Sequence, residues 1–194
     1  WSSASIPDDL VGDSTSSQWQ AITYGRGQFV AIAGNDRAVA TSPDGVSWTR
    51  TQALPVGDYN FVSLEYGQGR YLALERDGST LFSFDAATWA AATSAPTQDG
   101  STVMRWNSMK FADGIFFATC DANGEIVGGD LNGDNTSFVA TSEDGITWTG
   151  RNVETPRKYA SAGFGVVQGI PYWIMPAEGI SIGGMVRIQT GCKA

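Results

Sequence analysis

Val39-Ala-Thr-Ser-Pro-Asp-Gly-Val-Ser-Trp-Thr49 returns 100 residues later as Val139-Ala-Thr-Ser-Glu-Asp-Gly-Ile-Thr-Trp-Thr149, with eight of eleven positions identical. A weaker copy, Leu81-Phe-Ser-Phe-Asp-Ala-Ala-Thr-Trp89, lies between them and keeps Ser83, Asp85 and Trp89 in register. Self-similarity at a fixed spacing is the mark of a repeat architecture, and it outranks any local reading of the chain.

The flanking segments repeat as well. Trp19-Gln-Ala-Ile-Thr-Tyr-Gly-Arg-Gly27 matches Phe61-Val-Ser-Leu-Glu-Tyr-Gly-Gln-Gly69 and Trp106-Asn-Ser-Met-Lys-Phe-Ala-Asp-Gly114, and a degraded copy runs from Ser161 to Gly169. An apolar run follows each: Phe29 to Ala33, Tyr71 to Leu74, Phe116 to Thr119 and Tyr172 to Met175. Period-two alternation and β-branched or aromatic residues make these strands. Each unit therefore reads as strand a, Gly turn, strand b, loop, strand c, Asp-Gly turn, strand d. No segment carries an amphipathic helix pattern.

The expected fold is all-β, a small β-propeller of four blades with four antiparallel strands each. The blades fall at about 18–55, 58–96, 103–156 and 158–194 plus 1–7, so that residues 1–194 form one domain. The chain ends supply the last assignment. A Pro follows each motif Trp (Trp48 to Pro55, Trp89 to Pro96, Trp148 to Pro156), and the chain opens on Trp1-Ser-Ser-Ala-Ser-Ile-Pro7. The last unit offers strand a (Tyr159 to Gly165), b (Tyr172 to Met175) and c (Met185 to Gln189) and no strand d. Joining the two completes a fourth blade and leaves no large exposed sheet edge. A fragment of a larger propeller and a half-ring that dimerises are the competing arrangements. The opening Trp1, in place of Met, reads as a processed product or a piece of a longer chain.

Composition narrows the function. A formal charge of −8 repels phosphate backbones and anionic lipid, which argues against nucleic-acid and membrane-surface partners. No run reaches the roughly 18 apolar residues of a membrane helix, so membrane insertion is not expected. The chain has no His, which removes His-based nucleophilic catalysis and His-ligated zinc. Two cysteines, Cys120 and Cys192, are too few for a disulfide framework; they pair, or Cys120 is a buried thiol.

Ser-x-Asp-Gly-x-x-Trp resembles the Asp-box, or BNR repeat, of sialidases and other β-propeller proteins. Ser42, Asp44, Gly45 and Trp48 match it, as do Ser142, Asp144, Gly145 and Trp148; the second unit keeps Asp85 and Trp89 but has Ala for the Gly. In such a turn the Asp carboxylate accepts backbone N–H groups, Gly supplies φ > 0 and Trp covers the turn. These residues are therefore expected to be structural. The resemblance to sialidases stops at the repeat: none of the nine arginines stands in a strand context that marks a buried arginine triad, and four blades leave little room for a deep pocket. No catalytic residue is assigned.

Recognition is expected on the face opposite the Asp-box turns, where the b–c and d–a loops emerge. Its candidate ligand-binding residues are Asn35, Asp36, Arg37, Tyr59, Arg76, Asp77 and Trp106; the Tyr59 and Trp106 rings either stack on a sugar or fill the gap between blades. The third blade carries an insert there, in which Asp130, Asn132 and Asp134 have the alternate-oxygen spacing of a calcium loop, without its Gly and Glu. Calcium is the one cofactor this suggests; a polar loop with no ion is the plainer reading.

The Gly-turn and Asp-box repeats also look like those of bacteriophage tail-fibre and receptor-binding proteins and of bacterial surface proteins. That resemblance implies an extracellular or virion-borne recognition module, part of a larger fibre or surface chain, binding cell-surface carbohydrate or another host receptor. A protein-assembly platform is the alternative, and a glycosidase with two converging carboxylates the third reading.

Overall fold

A computed structural model describes residues 6, 18–34, 36–51, 54–92, 105–120, 137–153, 158–159, 161–178 and 185–189. Within them the chain is all-β, with sixteen strands and no helix.

The strands make four antiparallel sheets, each drawn from one consecutive stretch of sequence. Sheet 1 is β1 (Trp19–Gly25), β2 (Gln28–Ala33), β3 (Val39–Ser42) and β4 (Thr49–Thr51). Sheet 2 is β5 (Phe61–Gly67), β6 (Arg70–Glu75), β7 (Thr80–Ser83) and β8 (Ala90–Ala91). Sheet 3 is β9 (Trp106–Ala112), β10 (Ile115–Cys120), β11 (Ser137–Ser142) and β12 (Thr149–Val153). In sheet 4, β13 (Lys158–Tyr159) and β14 (Gly163–Val167) lie along one edge of β15 (Ile170–Glu178), and β16 (Met185–Gln189) pairs its other edge.

The first hairpin of every sheet turns on two residues of positive φ: Arg26 and Gly27, Gln68 and Gly69, Asp113 and Gly114, Gln168 and Gly169. That is the type I′ geometry, whose twist matches that of the flanking strands. The degraded fourth copy keeps it, because Gly169 keeps the one residue the turn most needs.

A second repeated feature had no sequence signal. Strand a of each sheet carries one extra residue near its start. Trp19 pairs with Ala33 but Ala21 with Ile32; Phe61 pairs with Glu75 but Ser63 with Leu74; Trp106 pairs with Cys120 but Ser108 with Thr119. In sheet 4, Tyr159 pairs with Ala177 and Gly163 with Ile174, four steps on one strand against three on the other. Such a bulge increases the local twist of the strand that bears it. The bulged Gln20 also reaches out of its sheet, its Oε1 accepting the Phe61 N–H at 3.0 Å.

Three apolar layers bind the sheets. Val30, Ile32 and Val39 of sheet 1 meet Phe61, Leu64, Tyr71, Leu81 and Trp89 of sheet 2. Leu72 and Leu74 meet Trp106, Met109, Phe116 and Phe138 of sheet 3. Phe117 and Val139 meet Trp173 and Met175 of sheet 4, with the Phe117 and Trp173 rings stacked at 4.6 Å. Sheets 2 and 3 thus carry an apolar layer on each face. Cys120 is buried in the second layer, its thiol donating to the Phe138 carbonyl. The joining of residues 1–7 to the last sheet, and Cys192, lie outside the described residues.

Candidate functional site

The loop end of sheets 1 and 2 gathers the residues that the sequence singles out, and the structure divides them sharply. Asp36 is spoken for: its carboxylate pairs with the Arg50 guanidinium and accepts the Ala38 N–H, and the two paired side chains are 4% and 5% exposed. It staples the b–c loop to strand d and is not available to a ligand. Trp106 is a correction too. It is fully buried in the second apolar layer, 5.9 Å from the Phe138 ring, because the first position of strand a faces a neighbouring sheet. Tyr59 is half-buried; its ring stacks on Phe61 at 5.2 Å and its hydroxyl donates to the Pro55 carbonyl at 3.0 Å.

Arg37, Arg76 and Asp77 keep side chains with access to solvent. Arg37 sits at φ 58° and its carbonyl accepts the Leu54 N–H. The Arg76 backbone ties three elements together, donating to the Asn60 carbonyl and accepting the Trp106 N–H, both at 2.9 Å. Asp77 closes the turn by accepting the Ser79 N–H at 2.8 Å. Asn35 and the candidate calcium residues Asp130, Asn132 and Asp134 lie outside the described residues.

Glu75 belongs with this group, and the sequence reading did not assign it. Its residue is 8% exposed, and its carboxyl is pushed up to about 7, by burial first and then by the charge of Asp77, against the Asn60 N–H that favours the anion. The Tyr59 hydroxyl is raised by its own burial first and then by the Glu75 charge, while Arg37 opposes. A signal did exist. The bulge register aligns Glu75 with Ala33 and Cys120, so an acid stands where the other sheets place small apolar residues.

At the opposite end, three turns share one geometry. The Asp44 carboxylate accepts the Val46 and Ser47 N–H groups at 2.8 Å; Asp85 accepts Ala87 and Thr88, and Asp144 accepts Ile146 and Thr147. The preceding Ser is the second anchor: Ser42 Oγ accepts the Gly45 N–H at 2.8 Å and donates to Asp44 at 3.0 Å, and Ser83 and Ser142 do the same. Gly45 and Gly145 have φ of 73° and 72°; Ala86 takes 65° in the second turn despite its Cβ. Trp48 and Trp89 donate their indole N–H to the carbonyls of Gly45 and Ala86. Trp148 does not, and its buried Nε1 has no acceptor.

No protein-family model matches the chain, and no curated protein sequence matches it. Solved structures do. YCF48 bound to D1 peptide superposes with a TM-score of 0.53 at 18% identity, over 86% of this chain and 49% of that one. The computationally designed Ika4 protein gives 0.54 at 11% identity, over 96% of this chain and all of that one. The designed Ika8 protein gives 0.50 at 10% identity, over 90% of this chain and 47% of the other. The chain spans about half the length of the YCF48 structure it matches. At these identities the likeness is one of fold, and that fold is the β-propeller.

Proposed function

We propose that the chain is a four-bladed ring serving as a non-catalytic recognition module, and that its loop face at the junction of sheets 1 and 2 binds a polypeptide. Closure is supported by an unmet strand edge. In sheets 1, 2 and 3 strand c pairs a fourth strand, whereas among the described residues β16 pairs β15 alone. The segment Trp1 to Pro7 repeats the motif Trp and the Pro that follows it, which is what that edge lacks.

The choice of ligand rests on one observation: the expected aromatic platforms are occupied. Trp106 is buried and Phe61 covers one face of the half-buried Tyr59 ring, which leaves little aromatic surface on which a sugar could stack. What the junction does offer is charge of both signs, from Arg37, Arg76 and Asp77, around backbone already held in place. Mixed charge on a rigid loop frame suits side chains of alternating character. YCF48 is solved with a peptide, and a common fold makes such a ligand chemically reasonable here. The repeat resemblance to phage and bacterial surface modules supports service outside the cell or on a virion.

The test is binding of the purified chain to a displayed library of random peptides and to a glycan array, in parallel. Peptide capture that is lost in an Arg76→Ala/Asp77→Ala variant is the expected result. Glycan capture that this variant abolishes, with no peptide enriched, overturns the reading in favour of carbohydrate on this face.

A further inference from the structure

The flank of sheet 3 that faces sheet 4 is built differently from the two flanks before it. On sheet 1 the corresponding flank is covered by the motif turn of the next sheet, with Ala86 and Trp89 packed on Val30 and Val39. On sheet 2 it is covered by the third turn: a Cβ at Gly145 would lie 2.8 Å from Leu72, and Trp148 packs into the same layer. The sequence of the fourth unit lacks that motif. Ser42, Ser83 and Ser142 pair with Phe29, Tyr71 and Phe116, and each begins the motif; in the fourth unit the sequence position that matches them is Thr190. Cys192 and Lys193 then stand where the motif needs Asp and Gly. Without the carboxylate that gathers the turn's N–H groups, the motif geometry has no anchor.

A cleft of about 500 Å³ opens on that flank, at the end of the molecule opposite the loop face. Its volume falls in the roughly 300–1,000 Å³ range of small-molecule sites. The groups that line it outside the turn's own hydrogen bonds are Ile115, Thr141, Glu143, Thr149 and Arg151, the Thr147 hydroxyl being engaged by Asp144. Ser142 and Asp144 also line it, but their oxygens are committed to the turn. Glu143 and Arg151 are exposed at the mouth.

We infer that this cleft is a binding site for a neutral saccharide. The lining sets one carboxylate acceptor and one five-donor guanidinium beside two hydroxyls, of Thr141 and Thr149, that donate and accept. Opposite charges facing one ligand disfavour a strongly anionic or cationic guest. Sugar hydroxyls serve as donor and acceptor at once and match such a set, and Ile115 supplies an apolar patch for a C–H face. The site is independent of the polypeptide reading of the loop face, from which it is separated by the length of the strands.

The experiment is an amide NMR titration of the isotope-labelled chain with neutral trisaccharides of glucose, mannose, galactose and N-acetylglucosamine at millimolar concentration. At least one of them shifts the amides of Thr147, Thr149 and Arg151 to saturation and leaves Arg76 and Asp77 unmoved. Arg151→Ala and Glu143→Gln each weaken that binding by about tenfold or more, while the indole signals of Trp48 and Trp148 stay at native positions. Both variants lie on the surface and keep the Asp144 turn. No shift with any of the four sugars overturns the inference. So does saturable binding that neither variant weakens, or a response to an anionic saccharide or a peptide alone.

Discussion

Gly25 packs so closely on Tyr66 that a Cβ at the glycine would fall 2.1 Å from Tyr66 Cγ. The same contact recurs one sheet on, where a Cβ at Gly67 would fall 2.3 Å from Phe111 Cδ2. Tyr71 adds a hydrogen bond from its hydroxyl to the Gly25 carbonyl at 2.6 Å. The seventh residue of strand a is thus the socket for an aromatic on the next sheet. Gly25→Ala and Gly67→Ala should each cost about 1–3 kcal/mol or more by overpacking. Pairing Gly25→Ala with Tyr66→Ala should cost less than the two single changes together. Gly165→Ala is the control: nothing lies within 4 Å of its Cβ position, and urea midpoints should leave it near the parent.

The serines of the three turns make a second prediction. Ser42 is fully buried, and its Oγ serves the N–H groups of both Asp44 and Gly45. Ser42→Ala leaves those donors without their acceptor and should cost about 1–3 kcal/mol. Asp44 gives the same turn a pH signature. Its carboxyl is held down to about 2 by the Ser47 N–H, then the Val46 N–H, then the Ser42 hydroxyl. A folded pKa below the ordinary 3.8 means stability that is present above that value and lost as pH falls toward 2. Asp44→Asn should flatten the acid limb of a stability–pH curve in that window.

Much of this frame is legible in residues with a single conformational job. Gly27, Gly69, Gly114 and Gly169 mark the first hairpins, and the spaced Ser, Asp and Trp mark three of the far turns. Side-chain direction is less legible. Trp106 and Tyr59 read in sequence either as stacking surfaces for a sugar or as packing between blades, and the bulge at Asn107 and the stacking on Phe61 decide where those rings go. Asp36 reads as a loop acid for the same reason, since its partner Arg50 lies across two strands. The cleft beside Thr141, Glu143 and Arg151 has no local signal at all; it becomes visible only once the sheets are laid side by side.

The Asp36–Arg50 pair should behave as buried ion pairs do. Both side chains are almost wholly withdrawn from water, so removing one strands the other. Arg50→Met should cost about 3–5 kcal/mol, whereas Asp36→Asn with Arg50→Met should recover a large part of that loss. A double-mutant cycle by chemical denaturation measures the coupling. A small single-mutant cost would show that solvent reaches Asp36 and that the b–c loop is not stapled as described.

Glu75 runs the opposite way from Asp44. Its folded pKa of about 7 lies above the ordinary 4.5, so between those values the native state keeps a proton that the unfolded chain has released. Stability from this group is therefore whole below 4.5 and declines as pH rises through the window, the anion costing on the order of 2–3 kcal/mol beyond it. Glu75→Gln keeps the shape and removes the titration. The variant should match the parent at about pH 4 and exceed it at about pH 8, where the parent must bury a charge. Asp77→Asn should narrow that difference, because the neighbouring charge is the second cause of the shift. Urea unfolding at the two pH values separates the outcomes. Equal stability of parent and Glu75→Gln at both would mean that burial does not raise this carboxyl, and that water or a cation reaches it in solution.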